Sequence, residues 1–297
     1  MNSIKEKLKK YNFKIQSLKY IGKVVIIKTD KGVYLYKEGN NYAIYNYLAS
    51  RNFPNYPLNI SNKNDNYDLV EFLEDTTVSK EQRLHELINI VSLLHKKTSF
   101  NREFDLDKLK QMYENIQNDA NYLMNYYSDL NNYIDNITFM SPAEYLLVSN
   151  IDLFYYLISF VKVASTNWYD SLKKKKVMRY SMIHNNLSLS HIVINDKLNY
   201  LVSWNKAKLD MPIWDLKKII EDNYYDLGIE SFISEYEKEN RLNEDEYLFL
   251  LINLALPKKI EFTNNTYQDC YNLSNYLVYL QKNASLIHKY DKKIQKS

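Results

Sequence analysis

Met182–Trp204, MIHNNLSLSHIVINDKLNYLVSW, is the stretch that decides the fold. Two short runs rich in β-branched and aromatic residues, Ile192–Asn195 and Tyr200–Ser203, flank a tight Asp196-Lys197-Leu198 turn, and this pattern predicts a hairpin. Downstream, Ser203–Leu216, SWNKAKLDMPIWDL, runs into a helix predicted from Ile213. Further helices are predicted from Ile229, from Asn243 and from about Thr266 to the chain end. Upstream, Asp105–Asn136 and Ser141–Lys174 read as long periodic helices, the second opened by Ser141-Pro142. Ser79-Lys-Glu-Gln82 has the form of a capping box, and Leu84, Leu87, Ile88, Val91 and Leu94 follow at helical spacing. A lone hairpin thus sits inside a mostly helical stretch.

The first 75 or so residues differ in character. Lys23–Asp30, KVVIIKTD, and Gly32–Lys37, GVYLYK, read as strands joined by Asp30-Lys31-Gly32, a good turn sequence. Asn40–Ser50 has apolar residues at helical spacing, and the prolines of Phe53–Pro57 stop that helix. Tyr67–Leu73, YDLVEFL, reads as another strand. The class is α+β: a small β-rich lobe over residues 1–75 with one helix, and a large helical lobe over 76–297 containing the hairpin of 182–204. The junction is expected near Glu74–Val78. No repeat and no low-complexity linker interrupts the chain.

Composition narrows the functional classes. The hydrophobic fraction is 45%, but 29 of those residues are tyrosines, whose hydroxyls favour a water-soluble globule. The longest apolar run, Phe154–Ala164, falls short of the ~20 residues a membrane-spanning helix needs. The opening MNSIKEKLKKYNFKIQ has charges where an export signal needs an apolar run. Cys270 is the only cysteine, so an internal disulfide and a cysteine-based zinc site are excluded and a reducing cytoplasm is the expected location. Net charge is only +3, which offers no global field for nucleic acid. With four glycines (Gly22, Gly32, Gly39 and Gly228), no glycine-rich phosphate cradle can be present.

Within Ser203–Leu216, Trp204, Ala207, Pro212, Asp215 and Leu216 fall on the pattern D-W-E-x-A-x-x-G-x-P-x-x-D-L without a gap. Upstream, His184, Asn185, Asn186 and His191 occupy the four fixed places of H-G-D-x-x-x-x-N. Leu69–Leu73 looks like a hinge strand, Leu94-His95 matches the Leu-His that ends the next helix, and Lys37 closes its strand where a phosphate-binding lysine would sit. On these residues the chain resembles the aminoglycoside phosphotransferase and choline kinase superfamily. Its two long helices before the hairpin are similar to the branch that includes spore-coat kinase-like proteins. The resemblance covers roughly Ile21 to Ile220 and implies a protein-kinase-like, two-lobed fold.

It also implies a site, and that site is depleted. Phosphoryl transfer depends on positioning and on magnesium bridging the phosphates. The family supplies magnesium ligands from the aspartate of D-W-E and the loop asparagine; here Ser203 and His191 stand in those places. The family's loop aspartate takes the substrate's proton; Asn186 replaces it, and loss of a positioned base typically costs ~10²–10⁴ in rate. Asn185 replaces the loop glycine. The structural places are kept: His184 beneath the loop, Trp204, and Asp215, whose counterpart holds the loop backbone. Lys37 reads either as a remnant phosphate contact or as a solvent-facing lysine, and Glu71, Phe72 and Leu73 as a remnant nucleotide-binding hinge. His191 reads either as a metal ligand or as a loop histidine; no second ligand flanks it at a metal spacing, so no metal site is expected.

Three functional readings follow. In the first, the protein is a catalytically inactive kinase-like binding or scaffold module, with no cofactor, and with a protein partner or small ligand in the old cleft. In the second, it is an active ATP- and magnesium-dependent small-molecule phosphotransferase with atypical residues, relying on an acid such as Asp210. In the third, it is a structural protein such as a spore-coat component. Neither nucleic acid nor membrane is an expected partner.

Overall fold

A computed structural model describes residues 2–263 and 265–294. The chain divides into two compact units, Met1–Ser99 with Ser181–Asp215, and Phe100–Tyr180 with Leu216–Ser297. The first unit opens with α1 (Asn2–Leu8) and an antiparallel sheet of β1 (Ile15–Ile21), β2 (Val24–Thr29) and β3 (Gly32–Glu38). After α2 (Tyr42–Ser50) comes β4 (Tyr67–Glu71), which pairs with β3 and completes the four-stranded order β1-β2-β3-β4. Both hairpin connections are two residues long. Gly22, at φ +56°, turns β1 into β2, and Gly32, at φ +143°, follows Asp30-Lys31 in a conformation that side chains disfavour.

Strict alternation along β2 buries Val25, Ile27 and Thr29 on one face. There they meet Tyr36, Tyr67 and Leu69 of the sheet and Leu8 of α1 in one core. Asp68 is buried at the head of α2, where its carboxylate accepts bonds from the Asn41 backbone at 2.8 Å and amide at 2.5 Å. α3 (Lys80–Thr98) is capped by Ser79, whose hydroxyl accepts from the Gln82 backbone at 3.1 Å.

The chain then enters the second unit through β5 (Phe100–Glu103), α4 (Leu106–Asp135), α5 (Pro142–Val148) and α6 (Ile151–Lys175). The single helix expected over Ser141–Lys174 is broken. Asn150 leaves the helical region at φ −122°, its side-chain amide donates to the Leu146 carbonyl at 2.9 Å, and α5 and α6 bend by 48°. An asparagine that serves the backbone from its side chain ends a helix in this way. The capping box at Ser141 and Glu144 is formed in full. A stripe of Phe154, Leu157, Ile158, Val161, Trp168 and Leu172 packs α6 against α4 and α9.

β6 (Val177–Ile183) pairs with β5 and, in the first unit, with β9 (Lys208–Asp210). Between them lies the predicted hairpin, β7 (Ile192–Val193) and β8 (Tyr200–Leu201). α7 (Ile213–Asn223), α8 (Ile229–Glu237), α9 (Glu244–Ala255) and α10 (Thr266–Ile294) complete the chain; residues 295–297, included in the last predicted helix, lie outside the described residues. Strands β1, β5, β6 and β9 were not anticipated. Among the described residues no single helix is long and apolar enough to cross a membrane.

One ion pair ties β6 to α9. The Arg179 guanidinium grips both oxygens of Glu246, at 2.6 and 2.5 Å, and also donates to Asn240 and to the Arg241 carbonyl at 3.0 Å. Glu246 is buried and simultaneously closes the capping box of α9 through the Asn243 backbone at 2.9 Å. Arg179→Met therefore leaves a buried carboxylate without its cation, and urea unfolding should show a loss on the order of 3 kcal/mol. Arg179→Lys should recover only part of it, because an ammonium cannot reproduce the two-pronged contact.

Candidate functional site

The site is built around one carboxylate. Asp215, in the first turn of α7, is 1% exposed. Its Oδ2 accepts from the His184 backbone N–H at 2.7 Å and its Oδ1 from that of Asn185 at 2.8 Å. The buried His95 ring at the end of α3 lies 3.3 Å from Oδ2. Two successive amides can aim at one carboxylate only if the chain turns sharply there, and Asn185 does so at φ +56°, a region that asparagine enters more readily than most residues. Its side-chain amide then donates to the Lys206 carbonyl at 3.1 Å.

Beneath the loop, the His184 ring is fully buried and its Nε2 donates to the Val202 carbonyl at 2.8 Å. Its Nδ1 is buried with no partner. Burial holds the imidazole below its ordinary pKa, with the Asp215 charge opposing, so the ring is neutral with its proton on Nε2. Trp204 stands edge-on to it with ring centres 4.9 Å apart, and its indole N–H donates to the Leu201 carbonyl at 2.9 Å.

Next to this buried ring lie Asn186, His191 and Ser203, the three positions that the resemblance marks. His191 donates from Nδ1 to the Asn186 carbonyl at 2.5 Å, which leaves the Nε2 lone pair turned outward. The Val202 N–H donates to the His191 carbonyl at 2.9 Å, setting Ser203 beside it. Ser203 adopts φ +70°, ψ +48° at the start of a short 3₁₀ turn, and its hydroxyl caps nothing. Lys37, at the end of β3, reaches the Asn205 side-chain carbonyl at 3.3 Å. Hydrogen bonds link Asp215 to His184, His184 to Val202, Val202 to His191 and His191 to Asn186; Ser203 and Trp204 follow Val202 along the chain, and Lys37 reaches only Asn205 among the described residues. Glu71, Phe72 and Leu73 stand apart on the chain leaving β4: the Glu71 and Phe72 amides bond to Leu58 and Val33, and none of the three bonds to the cluster.

Carboxylates near this cluster are already engaged. Asp215 is filled by three donors. Asp210 accepts from the Met211 N–H at 2.8 Å and pairs with Lys208 at 2.6 Å. Asp68, across the sheet from Lys37, is held by Asn41; burial raises its pKa and the Lys37 charge opposes that shift. Among the described residues no group of three or more His, Cys, Asp or Glu is placed to hold a metal ion. The cluster offers amides, a hydroxyl, two imidazoles and one ammonium, and its carboxylate, Asp215, is taken up by the loop amides.

Two contributors escaped the sequence reading. Asn205 stands at the glutamate of the D-W-E pattern, so its signal was present in the motif. Thr98, buried at the end of α3, accepts from the Met182 N–H at 3.0 Å and donates to the Leu94 carbonyl at 2.7 Å; nothing local marks it.

The neutral His184 ring has a consequence for stability. Its folded pKa lies below the ordinary 6.5, so as the pH falls under that value the unfolded chain takes up a proton that the folded chain refuses. Stability contributed by this ring is intact above 6.5 and lost on acidification, by at most ~1.4 kcal/mol per pH unit. Urea midpoints compared at about pH 7.5 and about pH 5.5 should fall more for the wild type than for His184→Asn, whose amide keeps a donor for Val202 without titrating.

No family model and no curated protein sequence matches the chain. Solved structures do match it. An aminoglycoside phosphotransferase from Alicyclobacillus acidocaldarius is 11% identical with a TM-score of 0.70, over 95% of this chain and 93% of that one. A spectinomycin phosphotransferase bound to ADP and spectinomycin is 13% identical with a TM-score of 0.51, over 98% and 93%. A choline kinase from Streptococcus pneumoniae is 13% identical with a TM-score of 0.49, over 96% and 98%. The chain has the kinase-like α+β fold of the aminoglycoside phosphotransferases.

Proposed function

We propose that the protein is a catalytically inactive member of the kinase-like fold that works by binding, as a scaffold or through a small ligand held at the Lys37–Asn205 end of the cluster. The observation that carries this reading is the content of three positions. Where the resemblance places a base and two magnesium ligands, the chain has Asn186, His191 and Ser203. Magnesium requires hard oxygen ligands, preferably anionic, in octahedral geometry. A neutral hydroxyl and an imidazole do not supply them, and imidazole favours zinc or copper instead. The donor set does not fit magnesium.

Asn186 cannot accept a substrate proton. Its backbone carbonyl accepts from His191, so the loop is braced for shape. Retention of the Asp215, His184 and Trp204 bonds fits the same reading, because those contacts hold the scaffold and take no part in proton or phosphate transfer. A phosphotransferase neighbour carries ADP in its structure; for this chain, Lys37 is the one cation in the cluster that meets a phosphate without a competing carboxylate bonded to it. The lone Cys270 supports a reducing compartment such as the cytoplasm.

The purified protein should show no phosphoryl transfer from ATP to amines, choline or aminoglycosides. Any thermal shift produced by ATP should be the same with magnesium as with a chelator. Asn186→Asp, His191→Asn and Ser203→Asp combined should introduce a magnesium dependence into that shift, since aspartate also tolerates the backbone conformation of Ser203. Magnesium-dependent turnover by the wild type, abolished by changes within 186–203, would falsify the proposal.

A further inference from the structure

Charge is distributed unevenly along this nearly neutral chain. Residues 1–39 contain ten lysines against three acids, a net +7 in a protein whose total is +3, so the remainder carries −4. Residues 111–161 contain six acids and neither lysine nor arginine. Each segment also exposes apolar surface.

In the first unit, the β1–β2 hairpin ends in Tyr20 and Ile21, 53% and 52% exposed. By register Lys19, Ile21 and Lys28 share one face of that hairpin, and Lys23 is in the turn. All three lysines are exposed and form no ion pair or hydrogen bond among the described residues. Lys19 and Lys23 flank the apolar tip, and Lys28 extends the same cationic face along β2, opposite Ser17.

In the second unit, the end of α4 and its connection to α5 are the converse. Phe139 is 89% exposed, and Tyr133 and Tyr145 are 63% and 67% exposed. The Tyr155 hydroxyl, three residues after Asp152 in α6, donates to the Tyr127 carbonyl of α4 at 3.4 Å, which sets the Asp152 end of α6 against the last turns of α4 that lead to Asp135. Asp135 is the last residue of α4, and that helix has no basic residue in its final turn. A carboxylate at the negative end of a 30-residue helix dipole is a site that attracts a cation. Lysine over tyrosine is a contact this protein makes repeatedly within itself, as Lys259 over Tyr126 at 5.1 Å and Lys173 over Tyr169 at 5.8 Å.

We propose that these two surfaces are partners in trans: the Lys19–Lys28 hairpin tip of one copy docks on the aromatic, acidic α4–α5 face, around Asp135, Phe139 and Asp152, of a second copy. Apolar tip meets apolar floor, and the lysines meet the carboxylates and the α4 C-terminus. The two surfaces are different patches, so the contact is heterologous and each copy has one free patch of each kind to offer. This association is independent of whatever occupies the Lys37 cluster.

The experiment is sedimentation of the full chain at about 0.1 M salt, where charges act over ~10 Å, and at about 1 M, where they act over ~3 Å. Self-association should be present in the first condition and lost in the second. The triple variant Lys19→Glu, Lys23→Glu, Lys28→Glu and the double variant Asp135→Lys, Asp152→Lys should each be monomeric. All five residues are exposed, so the thermal transitions of both variants should match the wild type. Mixed in equal amounts the two variants should associate again, because the intact tip of one meets the intact face of the other. A wild type that stays monomeric at about 0.1 M salt, an association that survives either variant, or a mixture that remains monomeric overturns the proposal. So does binding of an oligolysine peptide to the acidic face by a chain that does not bind itself.

Discussion

The Asp215 carboxylate is the constraint on which the first unit depends. A buried carboxylate is tolerated only when its charge is met by donors, and here the donors are the two backbone amides that begin the His184–His191 loop. The obligation is mutual. Two buried or half-buried N–H groups with no carbonyl in reach would each carry a desolvation cost, and one side chain removes both. Once His184 and Asn185 are fixed, the His184 ring is directed to Val202, the Val202 amide is directed to His191, and Ser203 is set at a positive φ beside them. None of these steps requires a metal or a substrate.

That independence lets the loop hold its shape with no carboxylate at Asn186, His191 and Ser203. A metal site lined by carboxylates is strained by like-charge repulsion until its cation arrives. Amide, hydroxyl and imidazole impose no such repulsion, so Asn186, His191 and Ser203 rest in place with a single ammonium nearby. Lys37 is satisfied by a neutral amide oxygen, Asn205, in place of a glutamate.

Sequence patterns revealed the elements whose signals are local. Ser79 with Gln82 and Ser141 with Pro142 mark helix starts within four residues, and α3 and α5 begin where those signals predict; α9 begins after Asn243, as expected, and the structure adds the capping boxes Ser141–Glu144 and Asn243–Glu246. Strands β2 and β3 were equally plain from β-branched alternation. Strand β1, IQSLKYI, was obscured by polar residues on its exposed positions, because an edge strand buries little. Strands β5, β6 and β9 exist only through partners distant in sequence, such as Phe100 with Tyr180 and Ser181 with Asp210. The break between α5 and α6 depends on an Asn150 side-chain bond that periodicity cannot register. At the site, His184, Trp204 and Asp215 were legible because they belong to a spaced motif, whereas Thr98 reaches Met182 across 84 positions.

The tyrosine content, which says little as a sequence statistic, has a structural use. Four glycines give this chain few tight loops, so extended connections need partners for their backbone groups. Tyrosine supplies a ring for the core and a hydroxyl for the loop. Tyr127 is fully buried yet donates to the Lys258 carbonyl at 2.5 Å, Tyr126 donates to that of Ile260, and the Tyr276 hydroxyl accepts from the Lys258 N–H at 2.6 Å. Three phenols thus hold the connection between α9 and α10 against α4 and α10. Burial pushes the Tyr127 and Tyr276 phenols well up, so these contacts are made by neutral hydroxyls and are insensitive to physiological pH. Tyrosines with such a load are accounted for by the fold. Tyr133 and Tyr145 carry no such load: their rings are exposed and their hydroxyls make no hydrogen bond among the described residues.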